Sequence, residues 1–272
     1  MRASLTINFF IRSATLLLLL IVIAAAHVLA AQASPTESRI CAKSANGPVG
    51  WWHGDGSEAR DEVCLNNGKL VGTASIGEGF INRGFHFDGQ PGFVKVFQSP
   101  ALNVSDELTI SFWYRQNDAS EFFTCCHGLV TTDFYQIGLA EGGIVFSLST
   151  DNGGRFVSAV APPIPAGEWH LVTGTYSGEG EGLKLYIDGD LKDENPSAAG
   201  PISPMLADSF LAFGSEDGRS SCPYCVSTRY IHAELDEVRL FRRALTEDEI
   251  EDVFQAESAA HDVGWMRVTP AR

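Results

Sequence analysis

Positive charge is what this chain has least of. Nineteen lysines and arginines stand against 34 aspartates and glutamates, a formal charge of −15, and so acidic a surface repels phosphate backbones and anionic membranes. Nucleic-acid binding is therefore excluded as a first reading. The acid suits a soluble extracellular protein or one that recruits cations, and it is equally what keeps a protein in solution. Internal repeats and low-complexity tracts are absent, which sets aside solenoids and disordered linkers. Catalytic signatures are missing as well. The seven histidines are scattered, with no HExxH string and no Ser/His/Asp order, and His86 and His170 read as surface residues on strands.

What is present begins with a targeting segment. Arg2 and Arg12 precede the apolar run Leu16 to Ala26, and small residues follow around Ala31-Gln32-Ala33, an A-x-A cleavage pattern. Residues 1–33 read as a secretory signal peptide, and 34–46 as a lead segment. The alternative is an uncleaved anchor, since the run approaches the roughly 18 to 20 residues that span a bilayer. Cleavage removes two arginines and no acid, which deepens the charge to −17. The expected location is secreted and extracellular, or periplasmic in a bacterium, with no membrane contact after cleavage.

From Val49 to Phe241 the chain alternates. Leu108, Ile110, Phe112 and Tyr114 share one face, while Thr109, Ser111, Trp113 and Arg115 share the other; Leu183, Leu185 and Ile187 alternate with Lys184 and Tyr186. Asp188-Gly189 marks a hairpin, because a type I′ turn needs the positive φ that glycine supplies. Further strands are expected around Phe93–Val96, Phe134–Ala140, Ile144–Leu148, Phe156–Val160, Trp169–Tyr176 and Phe210–Phe213. Pro162 to Pro165 and Asn195 to Pro204 read as surface loops. With 44% apolar residues there is material for one substantial core. Short strands broken by Gly and Pro, with one late helix, predict an all-β class: a two-sheet antiparallel sandwich or jelly roll with one short C-terminal helix. Asn103-Val104-Ser105 is a glycosylation sequon.

The stretch Tyr230 to Phe254 carries the most information. Period-2 alternation places Asp236, Val238 and Leu240 on one face and Leu235, Glu237, Arg239 and Phe241 on the other. Thr246-Glu247-Asp248-Glu249 then has the capping-box form, opening a helix of about ten residues. The tail from His261 on reads as a loose end or a small edge strand around Trp265 to Val268.

Six cysteines behind a signal peptide imply disulfides. Cys41 and Cys64 form the natural local pair; adjacent Cys125 and Cys126 are expected to reach Cys222 and Cys225. A four-cysteine zinc site is an alternative, although adjacent cysteines chelate poorly. Cys222-Pro223-Tyr224-Cys225 resembles the glutaredoxin tetrapeptide, but no strand–helix alternation precedes it.

LDEVRLFRRALTEDEI, from Leu235 to Ile250, resembles the closing motif of LamG-like jelly-roll domains of the concanavalin A-like lectin superfamily, and pentraxins end similarly. VGWWHGDG at Val49, Asp61, NNGKLVG at Asn66, GFHFDG at Gly84 and SPALNVSDELTISFWYR at Ser99 follow in the family's order. The resemblance covers residues 47–256 and leaves 257–272 as a tail. It implies a non-catalytic module that recognises carbohydrate or glycoprotein; the alternative is a structural or adhesive domain without a small ligand, and oligomeric state is unknown. The fold also carries glycoside hydrolases whose β-glucanase branch uses E-x-D-x-E. Glu234-Leu235-Asp236-Glu237 is close to this, yet alternation sends Glu237 to the opposite face, so a retaining pair about 5 to 5.5 Å apart does not form. Position 238, where the second carboxylate belongs, is valine. Asp236 reads as a buried carboxylate tied to the N-terminal segment, through Asp61 and a shared cation. In pentraxins, loops placed like Asn117-Asp118 and Glu216-Asp217 hold calcium, so these four residues are the expected calcium donors.

Overall fold

A half-buried strand needs a partner face, and this chain supplies two sets of them. The computed structural model describes residues 46–117, 127–140, 142–150, 155–206, 208–215 and 230–268. The expected signal segment lies outside them. Fifteen strands among the described residues form two antiparallel sheets. Sheet A runs in the order β13 (Asp190–Asn195), β12 (Gly182–Ile187), β11 (Trp169–Ser177), β6 (Glu107–Gln116), β15 (His232–Phe241), β4 (Arg83–Asp88) and β3 (Ser75–Glu78), with β1 (Gly50–Trp52) also paired to β15. Sheet B runs β10 (Arg155–Ala161), β9 (Gly143–Thr150), β8 (Tyr135–Ala140), β7 (His127–Thr131), β14 (Phe210–Phe213), β5 (Gly92–Phe97) and β2 (Gly68–Gly72).

The inward faces match the alternation. Leu108, Ile110, Phe112 and Tyr114 of β6 meet Ile137 and Leu139 of β8 and Ile144, Phe146 and Leu148 of β9 in one buried cluster. Burial of such side chains stabilises by about 1.5–3 kcal/mol each. Gly174 faces the Phe146 ring so closely that an added Cβ would lie 2.7 Å from it. The Asp188-Gly189 hairpin holds, with φ of 54° and 84°, the positive pair that a type I′ turn requires.

One helix, α1 (Glu247–Val268), lies among the described residues. Its capping box forms as expected: Glu249 N donates to Thr246 Oγ1 at 3.3 Å and Thr246 N to Glu249 Oε2 at 3.0 Å. Arg243 grips the same carboxylate at 2.6 and 2.8 Å, and these hydrogen bonds hold the Glu249 carboxyl down at about 2. The helix has 22 residues instead of about ten, and the expected edge strand at Trp265 to Val268 is helical. The physical reason is tertiary: Val253, Phe254, Glu257 and His261 all have partners on the outer face of sheet A, so packing carries the helix on.

The N-terminal segment is knotted around Asp61. Its carboxylate accepts from Trp51 N and Val63 N at Oδ1, and from Cys64 N, Asn66 N and Asn66 Nδ2 at Oδ2, all within 2.9–3.1 Å. That set engages both oxygens and ties the segment down by hydrogen bonds within itself. Asp61→Ala would orphan five donors, of which Cys64 N belongs to a buried residue and the rest to half-buried ones, and urea denaturation should show a loss of about 3 kcal/mol or more. A loss below about 1 kcal/mol would mean that water replaces the carboxylate there.

Candidate functional site

The outer face of sheet A is organised by a break in β15. Pairing with β6 slips between Asp236 and Arg239, and Glu237 has φ of 53°, so one extra residue is inserted as a β-bulge. The bulge re-phases the strand: Leu235 faces the core together with Val238 and Leu240. Strict alternation, which puts Leu235 opposite those two, is thereby corrected. Glu237 and Arg239 share a face, as alternation has it, and Glu237 also accepts Trp51 Nε1 at 2.6 Å, but that face is the one of Glu234 and Asp236 and not the opposite one.

Around the bulge a chain of charge-assisted bonds crosses four elements. Arg239 donates to Glu237 on its own strand and to Glu257 on α1; Glu257 also accepts Trp113 Nε1 from β6 at 2.6 Å. The guanidinium lies 4.8 Å from the Trp51 ring, an attractive cation–π placement. Asp236 is completely buried and accepts from Ile81 N at 2.9 Å and Glu237 N at 2.7 Å. It ties β15 to the turn between β3 and β4, not to Asp61. Burial first, and the Glu237 charge second, push the Asp236 carboxyl up to about 8; burial first, then Glu257, also raises Glu237.

Glu234 lies on the same face and is fully engaged. Its Oε2 accepts Arg115 Nε at 3.0 Å and its Oε1 accepts Asn117 Nδ2 at 2.8 Å, with His86 Nδ1 at 3.6 Å. The three acids Glu234, Asp236 and Glu237 thus share one face after all, but each is buried in structural bonds.

Docked on this face, α1 leaves a cleft of about 370 Å³ beside β11, lined by Phe80, Trp113, Trp169, Phe254, His261 and the acids Glu168, Asp188 and Asp262, with Ser258 and His170. Phe80 is stacked on Trp113 at 3.5 Å and on His261 at 4.3 Å, and Trp113 on Phe254 at 5.8 Å. His170 is not the exposed surface residue expected. Its Nδ1 is 2.7 Å from Asp188 Oδ2, and its buried Nε2 has no hydrogen-bond partner, Glu168 Oε2 being 4.0 Å away. Sequence reasoning missed this cleft, because its aromatic residues are spread over four segments. A larger depression of about 570 Å³ at the start of α1 offers Tyr186 alone among aromatic rings, and its Lys184 is already bound to Glu181 and Glu247.

The expected calcium rim is described only at its stems. Asn117 N donates to His232 O, Ser215 pairs with Tyr230, and Gly214 N donates to Leu129 O, so the two acidic loops leave the same rim. Asp118, Glu216 and Asp217 lie outside the described residues, as do Cys41, Cys125, Cys126, Cys222 and Cys225. Cys64 is disulfide-bonded, with its partner outside them. Asn103 of the sequon accepts Met205 N through Oδ1 at 3.1 Å.

The sequence profile described as Concanavalin A-like lectin/glucanases superfamily, of the laminin G type, matches residues 88–251. The chain belongs to that family. Human adhesion G-protein coupled receptor D1 is 28% identical over 203 residues, which cover 70% of this chain and 22% of the receptor; the chain thus spans about a fifth of this relative's length. Among solved structures, a botulinum neurotoxin serotype D ligand-binding domain in complex with N-acetylneuraminic acid superposes with a TM-score of 0.60 at 14% identity, covering 77% of this chain and 51% of that one. Domain 4 of AbnA, an extracellular GH43 arabinanase from Geobacillus stearothermophilus, in complex with arabinotriose, gives 0.59 at 16%, covering 77% and 99%. At these identities the likeness shows the jelly-roll fold. No helix among the described residues is long and apolar enough to cross a membrane.

Asp236 generates a pH signature. Its carboxyl sits near 8 in the folded protein and near 3.8 when unfolded, so the folded state holds the proton more tightly. Its contribution is fully present below pH 3.8 and is lost as pH rises through 8. Asparagine mimics the protonated carboxyl and does not titrate, so in chemical denaturation Asp236→Asn should gain stability relative to wild type as pH rises from 5 to 8.5. Equal differences at both values would place the Asp236 carboxyl in the ordinary range.

Proposed function

We propose that this chain is a secreted, extracellular, non-catalytic module that binds neutral glycan, free or on glycoprotein, in the cleft between α1 and β11. The single observation that carries the reading is the lining of that cleft. Half-buried Trp169, Phe254 and His261 offer flat faces beside Phe80 and Trp113, and the C–H faces of a sugar ring pack on such surfaces. Carboxylates of Glu168, Asp188 and Asp262 stand at the edges, where they accept hydrogen bonds from sugar hydroxyls and repel acidic sugars. The volume falls in the usual range for small-ligand sites. The arabinotriose complex of one structural relative supports a neutral glycan as the class of ligand, and the adhesion receptor supports an extracellular setting.

Calcium assistance belongs to the proposal as well. Convergence of the loop stems at Asn117, Ser215 and Tyr230 supports a donor set of Asn117, Asp118, Glu216 and Asp217 at one rim. Hard oxygen donors of this kind suit calcium.

A glycan array should give selective binding to at least one neutral class, and Trp169→Ala and His261→Ala should each weaken it about tenfold or more. Silence of the array with millimolar calcium present would favour a structural or adhesive domain without a small ligand. Calcium should also raise the melting temperature, and Asp118→Asn with Asp217→Asn should abolish the rise; an unchanged rise would end the calcium assignment.

A further inference from the structure

The outer face of sheet B carries a surface of opposite electrical character. Along β5, Val94 and Val96 enter the core, as do Leu211 and Phe213 of β14, so Phe93, Lys95, Phe97, Phe210 and Ala212 face outward. Cross-strand register sets Lys69 of β2 against Lys95, and Phe97 against Phe210. Lys95 Nζ stands 4.0 Å from the Phe210 ring centroid and 5.1 Å from that of Phe97; Lys69 Nζ is 5.6 Å from Phe97. Phe93 stacks on Phe210 at 5.9 Å, and Phe97 is 54% exposed.

The ring contacts are attractive, but the pairing of the two lysines is not. Like charges set directly opposite across two strands destabilise a sheet, and the chain has only five lysines. Lys184 and Lys192 are paired with Glu181 and Asp190, whereas Lys69 and Lys95 form no ion pair among the described residues, in a chain of charge −15. Lysine on an edge strand commonly guards against edge-to-edge pairing. That account covers Lys69, because β2 is the edge, but not Lys95, because β5 lies between β14 and β2.

We propose that Lys69, Lys95, Phe93, Phe97 and Phe210 form a second binding surface, for an acidic polysaccharide built of uronic-acid residues. Exposed Phe97 takes the apolar face of a sugar ring, with half-buried Phe93 and Phe210 beside it, and the two ammonium groups take carboxylates, which are their charge complement. One carboxylate per ring matches two cations in neighbouring strands. A polysulfate carries more charge than two lysines neutralise and meets an acidic molecule everywhere else. The surface shares no residue with the cleft at α1, so each site stands or falls alone.

The test uses the full chain and oligogalacturonate of defined length, with calorimetry at low and physiological salt. Wild type should bind, more weakly as salt rises. Lys69→Gln with Lys95→Gln should weaken binding at least tenfold, and so should Phe97→Ala, an exposed position whose truncation leaves the core intact; Trp169→Ala should leave it unchanged. The proposal is overturned if oligogalacturonate does not bind, if uncharged dextran binds equally, or if dextran sulfate binds more tightly. It is also overturned if the double variant changes only oligomeric state, because the lysines then serve the edge alone.

Discussion

A buried guanidinium between two carboxylates from different elements fixes the outer face of sheet A. Arg239 and Glu237 join Glu234 and Asp236 on this face because the bulge adds one residue to the strand, and Arg239 reaches Glu257 because α1 runs long enough to deliver it. Removing one member of such a buried set leaves charge uncompensated, which typically costs about 3–5 kcal/mol. With Trp51 and Trp113 donating to the two acids, the N-terminal strand, the central strands and the helix are bound to one point. From that point α1 is aimed across the sheet, and Phe254 and His261 arrive over Trp113 and Phe80. The cleft is the space left beside them.

The same constraint explains why three acids so like a glucanase motif do no such chemistry in our account. Glu234 is held by Arg115 and Asn117, Glu237 by Arg239 and Trp51, and Asp236 keeps its proton because burial and its neighbour's charge oppose ionisation. Carboxylates committed in this way hold elements together. The groups left for a ligand are those at the cleft edge, where Glu168 and Asp262 are exposed and His170 keeps a ring nitrogen unbonded.

Much of this was legible in the residues. The alternation of Leu108 to Tyr114, the Asp188-Gly189 turn and the Thr246–Glu249 capping box are local signals, and each appears in the structure where expected. Two things were not legible. A bulge adds one residue without changing composition, so the phase of Leu235 to Arg239 could not be read from period alone. The cleft joins Phe80, Trp113, Trp169 and Phe254 across 174 residues of sequence, and only sheet order and helix docking bring them together. Helix length failed for the same reason, being decided by contacts with sheet A.

The two proposed surfaces divide the sandwich by charge, an acidic aromatic cleft on one sheet and a lysine–phenylalanine platform on the other. The central claim, that the cleft under α1 receives a glycan, is tested most directly by following tryptophan indole N–H resonances during titration with arabinotriose and with the tightest neutral oligosaccharide from the array. The account predicts that Trp169, on the cleft wall, and Trp113, in its floor, shift in a saturable way, while Trp52, buried in the core with its indole bonded to Asn66 O, stays fixed. Saturable binding that leaves Trp169 and Trp113 unmoved would contradict it.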